Sequence, residues 1–299
     1  MKRPAALKNG DVIGIVATAK KVSKEEIAAA VAVFESWNLK VAFGKHLFHS
    51  CHQFSGTDSE RLADIQSMIS DPSVKAIICA RGGYGTTRII DDIDLSPLQN
   101  NPKWIIGFSD LTALLFQLFN QKIESVHGIM AGLFHKENRD DSIESLRKVL
   151  YGELTDIKAD FHAFNRIGEA KGRIIGGNLS IICNLIGTSS DIAYSDIILF
   201  IEDLDEYLYH IDRMMVQLKR AGRLQSIKGL IVGDMSDMND NPIPFGQNAY
   251  EIIKSHIKNY DFPVCFGFPV GHEANNLAIP CGREVLLTVN GKESTLTFK

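Results

Sequence analysis

Three things are scarce in this sequence, and each absence narrows what the protein can be. Positive charge is not in excess: 32 Lys and Arg against 36 Asp and Glu give a formal net charge of −4, and no run of Lys or Arg exceeds two residues. Neutralising phosphates needs a basic excess, so no nucleic-acid partner is expected. Long apolar runs are also missing. Runs such as Ile197–Ile201 are strand-sized, and none approaches the roughly 18–20 residues of a spanning helix, so no membrane partner is expected. The opening stretch Met1–Asp11 is basic but has no apolar stretch before a cleavage site, so it does not read as a secretory signal. Cysteine is sparse, at positions 51, 79, 183, 265 and 281, with no CxxC pair. An odd, widely spaced set suits reduced thiols in a cytoplasm and offers no zinc signature. There is no H-E-x-x-H and no Cys/His cluster with ligand spacing, so neither a metal nor a cofactor is expected.

What remains is an ordinary globular composition: 299 residues, 45% apolar and 23% charged. That length accommodates one large domain or two of usual size, with a normal core. The first half alternates short apolar strands with helices. Asp11–Thr18, Lys40–Phe43, Ala76–Ala80 and Trp104–Gly107 read as strands. Lys24–Trp37, with Ser23 and Glu26 as a capping box, Asp58–Ser70 and Asp110–Asn120 read as helices, and Thr86–Asp91 as the start of another. Such alternation implies a parallel sheet with right-handed crossovers.

From about Tyr151 to Ala170 the periodicity weakens and polar residues rise, which reads as a linker. The division expected is 1–150, a linker 151–170, and 171–299. In the last part, strands at Lys171–Ile175, Ile197–Ile201 and Gly229–Val232 alternate with helices at Leu179–Ile186, Tyr207–Ala221 and Ala249–Ile257. Ile211, Met214, Met215 and Leu218 mark one face of the second helix, and Gly222 closes it. Glu284–Phe298 reads as a hairpin about Asn290-Gly291.

Four segments could carry chemistry. In Trp104–Leu111 (WIIGFSDL) an apolar strand runs into Ser109 and straight on into a helix. A serine there can be a nucleophile at a sharp elbow, beside helix N–H groups and the positive end of a dipole. Leu111 breaks the G-x-S-x-G pattern, and a plain N-cap serine is the commoner explanation of such a segment. Arg81–Gly85 (RGGYG) follows a strand, and its glycines let backbone N–H groups approach a ligand. It matches neither the Walker nor the dinucleotide pattern; an oxyanion hole, a phosphate cradle and a tight turn all fit. Glu202–Glu206 (EDLDE) ends a strand, where a carboxylate can orient a histidine or merely face solvent. His272 stands in the Gly/Pro-rich loop Gly267–Glu273, one of nine histidines in the chain. The order Ser109, Glu202, His272 is that of the α/β-hydrolases, though order says nothing of proximity.

Taken together, the segments ARGGYGTTRI, IIGFSDLTALL, GGNLSIICNLIGT, LFIEDLDEYLYHIDRMMVQLKRAG and GFPVGHEANNLAIPCG resemble, in order, successive blocks of the LD-carboxypeptidase family, the S66 class of serine peptidases. The matches span about residues 10–285. The resemblance implies an α/β chain: an N-terminal flavodoxin-like parallel-sheet domain with the nucleophile, and a C-terminal β-rich swivelling β/β/α domain with the acid and the histidine. It implies an active site between the two and a homodimer. By position it implies Ser109 as nucleophile, Glu202 as acid and His272 as base, with the backbone N–H groups of Gly83 and Asp110 as oxyanion donors.

A carboxypeptidase must also read a free carboxylate, and Arg81 and Arg213 are the candidates. The tract Glu206–Met214 and the loop PVGHEANNLAIPCG resemble the murein tetrapeptide branch, which removes a terminal D-alanine in cell-wall recycling. The alternative branch is the microcin C immunity type, acting on a peptidyl-nucleotide conjugate. Ala17-Thr18-Ala19 departs from the Pro-Ser usual in that loop of the family, and Glu273–Asn276 from its commonest form. A non-catalytic ligand-binding module would use the RGGYG loop but need no Ser/acid/His set. An amidotransferase-like cysteine hydrolase would need Cys where Ser109 stands.

Overall fold

The computed structural model describes residues 1–299. The chain divides into two compact units, Met1–Leu154 with Asn276–Gly282, and Thr155–Asn275 with Arg283–Lys299. No helix is long and apolar enough to cross a membrane.

The first unit is built on strands β1 (Val12–Val16), β2 (Lys40–Phe43), β3 (Val74–Cys79), β4 (Trp104–Gly107) and β5 (Ser125–His127). Their order is β5-β4-β3-β1-β2, all parallel, with Ile15 opposite Ile78, Ile78 opposite Ile106 and Ile106 opposite Val126. This is the flavodoxin order, with its switch point between β1 and β3. A parallel sheet covered on both faces needs strands that are apolar throughout. Accordingly Ile13, Ile15, Ala76, Ile78 and Ile106 are fully buried. Between the strands lie α1 (Lys24–Ser36), α2 (Asp58–Ser70), α3 (Pro97–Asn100), α4 (Thr112–Asn120) and α5 (Asp140–Tyr151). The capping box of α1 is made as the sequence suggests: Ser23 Oγ accepts from Glu26 N–H at 3.3 Å, and Glu26 returns a carboxylate oxygen to Ser23 N–H at 2.8 Å. Thr57 and Glu60 do the same for α2.

Two differences from the sequence reading stand out here. Thr86–Asp92 forms two short 3-10 turns rather than an α-helix, because the segment must follow the glycine loop before it. The late segment Ile279–Cys281 returns to this unit and lies antiparallel beside β5, pairing Ile279 with His127.

The second unit holds β6 (Ile157–Asp160), β7 (Gly168–Asn178), α6 (Leu179–Leu185), β8 (Ile197–Leu204), α7 (Leu208–Arg220), α8 (Arg223–Ser226), β9 (Gly229–Ser236), α9 (Ala249–Ile257) and β10 (Val264–Phe266). The returning segment Ile279–Cys281 is β11; β12 (Glu284–Val289) and β13 (Glu293–Phe298) complete the chain. The sheet runs β10-β9-β8-β7-β12-β13-β6. Its first four strands are parallel, and the rest are antiparallel. The expected hairpin is β12–β13, its turn held by Asn290 Oδ1, which accepts from the N–H groups of Lys292 and Glu293.

The stretch 151–170 is not the structureless linker its composition suggests. It carries the end of α5, the edge strand β6 and the start of β7. β6 has only four residues, alternating buried and exposed; that is too short a period-2 signal to stand out from polar surroundings.

Candidate active site

In the first unit, β4 ends at Gly107, Phe108 is extended, and Ser109 takes φ +59° at the head of a 3-10 turn that leads into α4. A non-glycine residue in left-handed backbone is uncommon, and such strain concentrates at functional sites. A simple N-cap serine would be extended instead. Gly107 leaves room for the turn: a Cβ there would lie 2.4 Å from Leu111 Cδ2 and 3.3 Å from Cys79 Cβ. So Leu111, which breaks the G-x-S-x-G spacing, fills the space over Gly107. Asp110 stands in the first turn, where helix N–H groups have no intrahelical acceptor.

The glycine loop lies against this serine. A Cβ on Gly82 would be 3.2 Å from Ser109 Cβ and 3.4 Å from its Oγ. Gly83 has φ +107°, which a side chain would strain. The far end of the loop is tied down by a carboxylate that sequence reading valued only for its backbone: Asp110 Oδ2 accepts from Thr86 N–H at 2.8 Å. Asp110 is buried, and that burial raises its pKa, against hydrogen bonds from Thr86 and Gly85 that lower it. Thr86 Oγ1 in turn shares a 2.7 Å hydrogen bond with Thr18 Oγ1, and the Thr18 carbonyl accepts from Arg61 Nε at 3.0 Å.

In the second unit, β8 delivers Glu202 into full burial, and its Oε2 lies 2.6 Å from His272 Nδ1. The register of β8 with β9 shifts between Ile201 and Asp203. A bulge there re-aims the side chain of Glu202, as bulges near sites do. With a carboxylate on Nδ1, the neutral ring carries its proton there and leaves Nε2 as the basic nitrogen. The imidazole is pinned on both sides of its own loop. Asp234 N–H donates to Val270 O at 2.9 Å, Asp234 Oδ2 accepts from Glu273 N–H at 3.2 Å, and Ser236 donates to Glu273 Oε1 at 2.7 Å. Between them Gly271, at φ +142°, comes so close to Asp234 that a Cβ would sit 2.8 Å from Asp234 Cβ.

Burial pulls the His272 pKa down, but the hydrogen bond and charge of Glu202, helped by Asp203 and Asp234, more than offset it, so it stands above the usual value. Burial and the charge of Glu202 push Asp203 up to about 7, and burial pushes Asp234 up to about 6. Asp203 does not face the imidazole: it accepts from Asn178 Nδ2 at 2.8 Å and from Ser180 N–H at 2.9 Å, anchoring the start of α6. Of the carboxylates in EDLDE, Glu202 alone is hydrogen-bonded to His272.

The two arginine candidates for a substrate carboxylate differ in their partners. Arg81 pairs with Glu26 at 2.8 Å. Arg213 lies over the Tyr209 ring at 5.5 Å and lines a cavity of about 560 Å³ with Ser180, Asn184, Glu206 and His210. No group of three or more His, Cys, Asp or Glu is arranged to hold a metal.

Two family descriptions match the chain: the LD-carboxypeptidase N-terminal domain over residues 13–128 and the LD-carboxypeptidase C-terminal domain over 171–287. The chain belongs to the LD-carboxypeptidase family. It is a serine-type carboxypeptidase, a hydrolase. Among its relatives, a probable murein peptide carboxypeptidase of Bacillus subtilis is 32% identical, over 98% of this chain and 94% of its own. The murein tetrapeptide carboxypeptidase of Pseudomonas aeruginosa is 25% identical over 93% of both chains. The crystal structure of muramoyltetrapeptide carboxypeptidase from Oxalobacter formigenes superposes with a TM-score of 0.88 at 26% identity, over 96% of this LD-carboxypeptidase and 98% of that chain. Microcin C7 self immunity protein superposes at 0.87 with 22% identity, over 99% and 98%; this likeness is one of fold. The parallel N-terminal sheet and mixed C-terminal sheet of this LD-carboxypeptidase are the two-domain architecture expected from its motifs.

Proposed function

We propose that this carboxypeptidase releases the terminal D-alanine of murein tetrapeptides by cleaving the L–D bond, with Ser109 as nucleophile, His272 as base and Glu202 as the residue that holds the imidazole. The observation that carries the machinery is the 2.6 Å bond from the fully buried Glu202 to His272 Nδ1. The substrate reading is supported by relatives named murein peptide and murein tetrapeptide carboxypeptidases. A role in cell-wall recycling, in a cytoplasm and as a homodimer, belongs to the same reading. The immunity-type alternative has a likeness of fold alone behind it.

In this mechanism His272 Nε2 takes the Ser109 proton as the oxygen attacks the carbonyl before the terminal residue. The backbone N–H groups of Gly83 and Asp110 receive the developing oxyanion. The protonated imidazole then gives its proton to the leaving amine, and D-alanine departs. A water activated by His272 hydrolyses the acyl-enzyme. Glu202 fixes the tautomer and stabilises the imidazolium.

The test is release of alanine, followed by mass, from L-Ala-D-Glu-meso-diaminopimelate-D-Ala and from the same peptide ending in L-Ala. Inverting that centre exchanges methyl and carboxylate, and an unpaired buried charge costs several kcal/mol. The D-ended peptide is therefore expected to be cleaved at least about 100-fold faster. Equal rates on the two would overturn the assignment.

A further inference from the structure

Ligands of open α/β sheets sit beyond the carboxyl ends of the strands, at the switch point. Here that is where β1 and β3 run out, into residues 17–20 and the glycine loop 81–85. Of the cations around these loops, the three arginines are committed. Arg61 bonds Thr18 O, Gly56 O and Asp58; Arg88 clasps Asp58; Arg81 pairs with Glu26. Lys20 is exposed and forms no ion pair. Its backbone N–H donates to Gly82 O at 3.3 Å. Its stem lies flat on the next residue: a Cβ on Gly83 would be 2.5 Å from Lys20 Cδ and 2.7 Å from Cγ and Cε. The stem is thus laid along Gly83, whose neighbour Gly82 touches Ser109.

We propose that Lys20 reads the carboxylate of the residue that leaves, an inference that rests on Ser109 being the nucleophile and on release of a terminal amino acid. When the scissile carbonyl oxygen lies at the Gly83 N–H, the terminal carboxylate is one residue further on. That is about 3.5 Å of extended chain. A cation whose stem crosses Gly83 is one residue from the oxyanion donors, as this requires. An ammonium is a compact point charge on a flexible stem, able to follow a carboxylate that departs with the product.

The experiment compares two substrates across three enzymes. The substrates are the tetrapeptide ending in D-alanine and the same peptide ending in D-alaninamide. The enzymes are wild type, Lys20→Met, which keeps an unbranched stem over Gly83, and Lys20→Arg, each shown to be folded by its thermal melt. Wild type prefers the free acid, and Lys20→Met is expected to shrink that preference roughly 10- to 100-fold in kcat/KM, the worth of a charged hydrogen bond. Lys20→Arg is expected to retain most of it. Equal losses on both substrates in Lys20→Met would mean that the stem only supports the loop, and would overturn the inference. So would an unchanged preference, or its collapse in Arg81→Met instead. A wild-type enzyme that releases no alanine from the acid would overturn the substrate reading and this inference with it. One that releases it while Lys20→Met keeps the full preference would overturn the inference alone.

Discussion

Around Ser109 the positioning is done by backbone; around His272 it is done by carboxylates. The serine is placed by a left-handed residue at the end of β4, by Gly107 under Leu111 and by a glycine loop pressed to its side. The imidazole is placed by Glu202, with Asp234 and Glu273 holding the loop on which it rides. On the roles proposed for Ser109 and His272, the difference follows from what each group would do. A nucleophile changes charge briefly and needs donors aimed at the oxygen it creates, which rigid N–H groups supply without reorganising. A base must hold a proton for part of the cycle, and a buried anion beside it makes that tolerable. Substitutions should therefore fail differently in the two regions: by geometry in the first, by charge in the second.

The largest effect is expected from Ser109→Ala. It removes one hydroxyl, so turnover should vanish while the melt shifts by no more than a lost cap would cause, about 0.5–2 kcal/mol. Near-wild-type turnover would reduce Ser109 to a cap. Next is Gly83→Ala, where φ +107° and the Lys20 stem leave no place for a methyl. Displacing one of the proposed oxyanion donors should lower kcat by about 10²–10³-fold with little pH dependence. A change in the shape of the pH profile would show that the loop acts by charge after all.

Glu202→Gln probes the other kind of failure. It should lower the rate strongly without abolishing it, and it should also move the pH profile. Wild-type kcat/KM should rise through a limb above the ordinary histidine value of about 6.5, because His272 must lose its proton to act and Glu202 holds that proton on. Without the carboxylate charge, burial has less to oppose it, and the limb should move to lower pH. Asp203→Asn should leave the limb nearly in place while weakening the α6 end it anchors. If Asp203→Asn shifts the limb more than Glu202→Gln does, the wrong carboxylate has been paired with the imidazole. The smallest effect is expected from Asp110→Asn. An amide can still accept from Thr86 N–H, so a loss of about tenfold or less in kcat is expected, at the lower end of what one misplaced hydrogen bond costs. A loss as large as that of Gly83→Ala would make the Asp110 charge itself part of the oxyanion site.

How much of this could be read beforehand depended on the range of the interactions involved. Ser23 and Glu26 declare α1 because both partners lie within one turn. The elbow could be suspected because β4, Ser109 and the helix after it are contiguous, but the left-handed φ that separates it from a cap could not. Glu202 and His272 are 70 residues apart, and only the order of family motifs pointed to them. The carboxylate of Asp110 was passed over because the N–H that donates to it lies 24 residues upstream, just after a loop whose glycines drew attention for another reason. Lys20 carried no signal at all: a lysine in a loop is ordinary until its stem is seen lying on Gly83. Strand β11, three residues long and paired with β5 across about half of the chain, had no local pattern to announce it.

That late strand has a consequence for how the protein is made. β5 is the outer parallel strand of the first sheet until Ile279–Cys281 arrives to cover it. On a ribosome, the first unit has all its other strands once residue 127 has emerged, yet it must wait through some 150 more residues, or about 10–30 s at ordinary elongation rates, for its last. During that wait β5 presents an open edge, the kind that invites pairing with another chain. A nascent chain stalled before residue 276 should therefore bind chaperones or aggregate, whereas one released after residue 282 can close the sheet on itself.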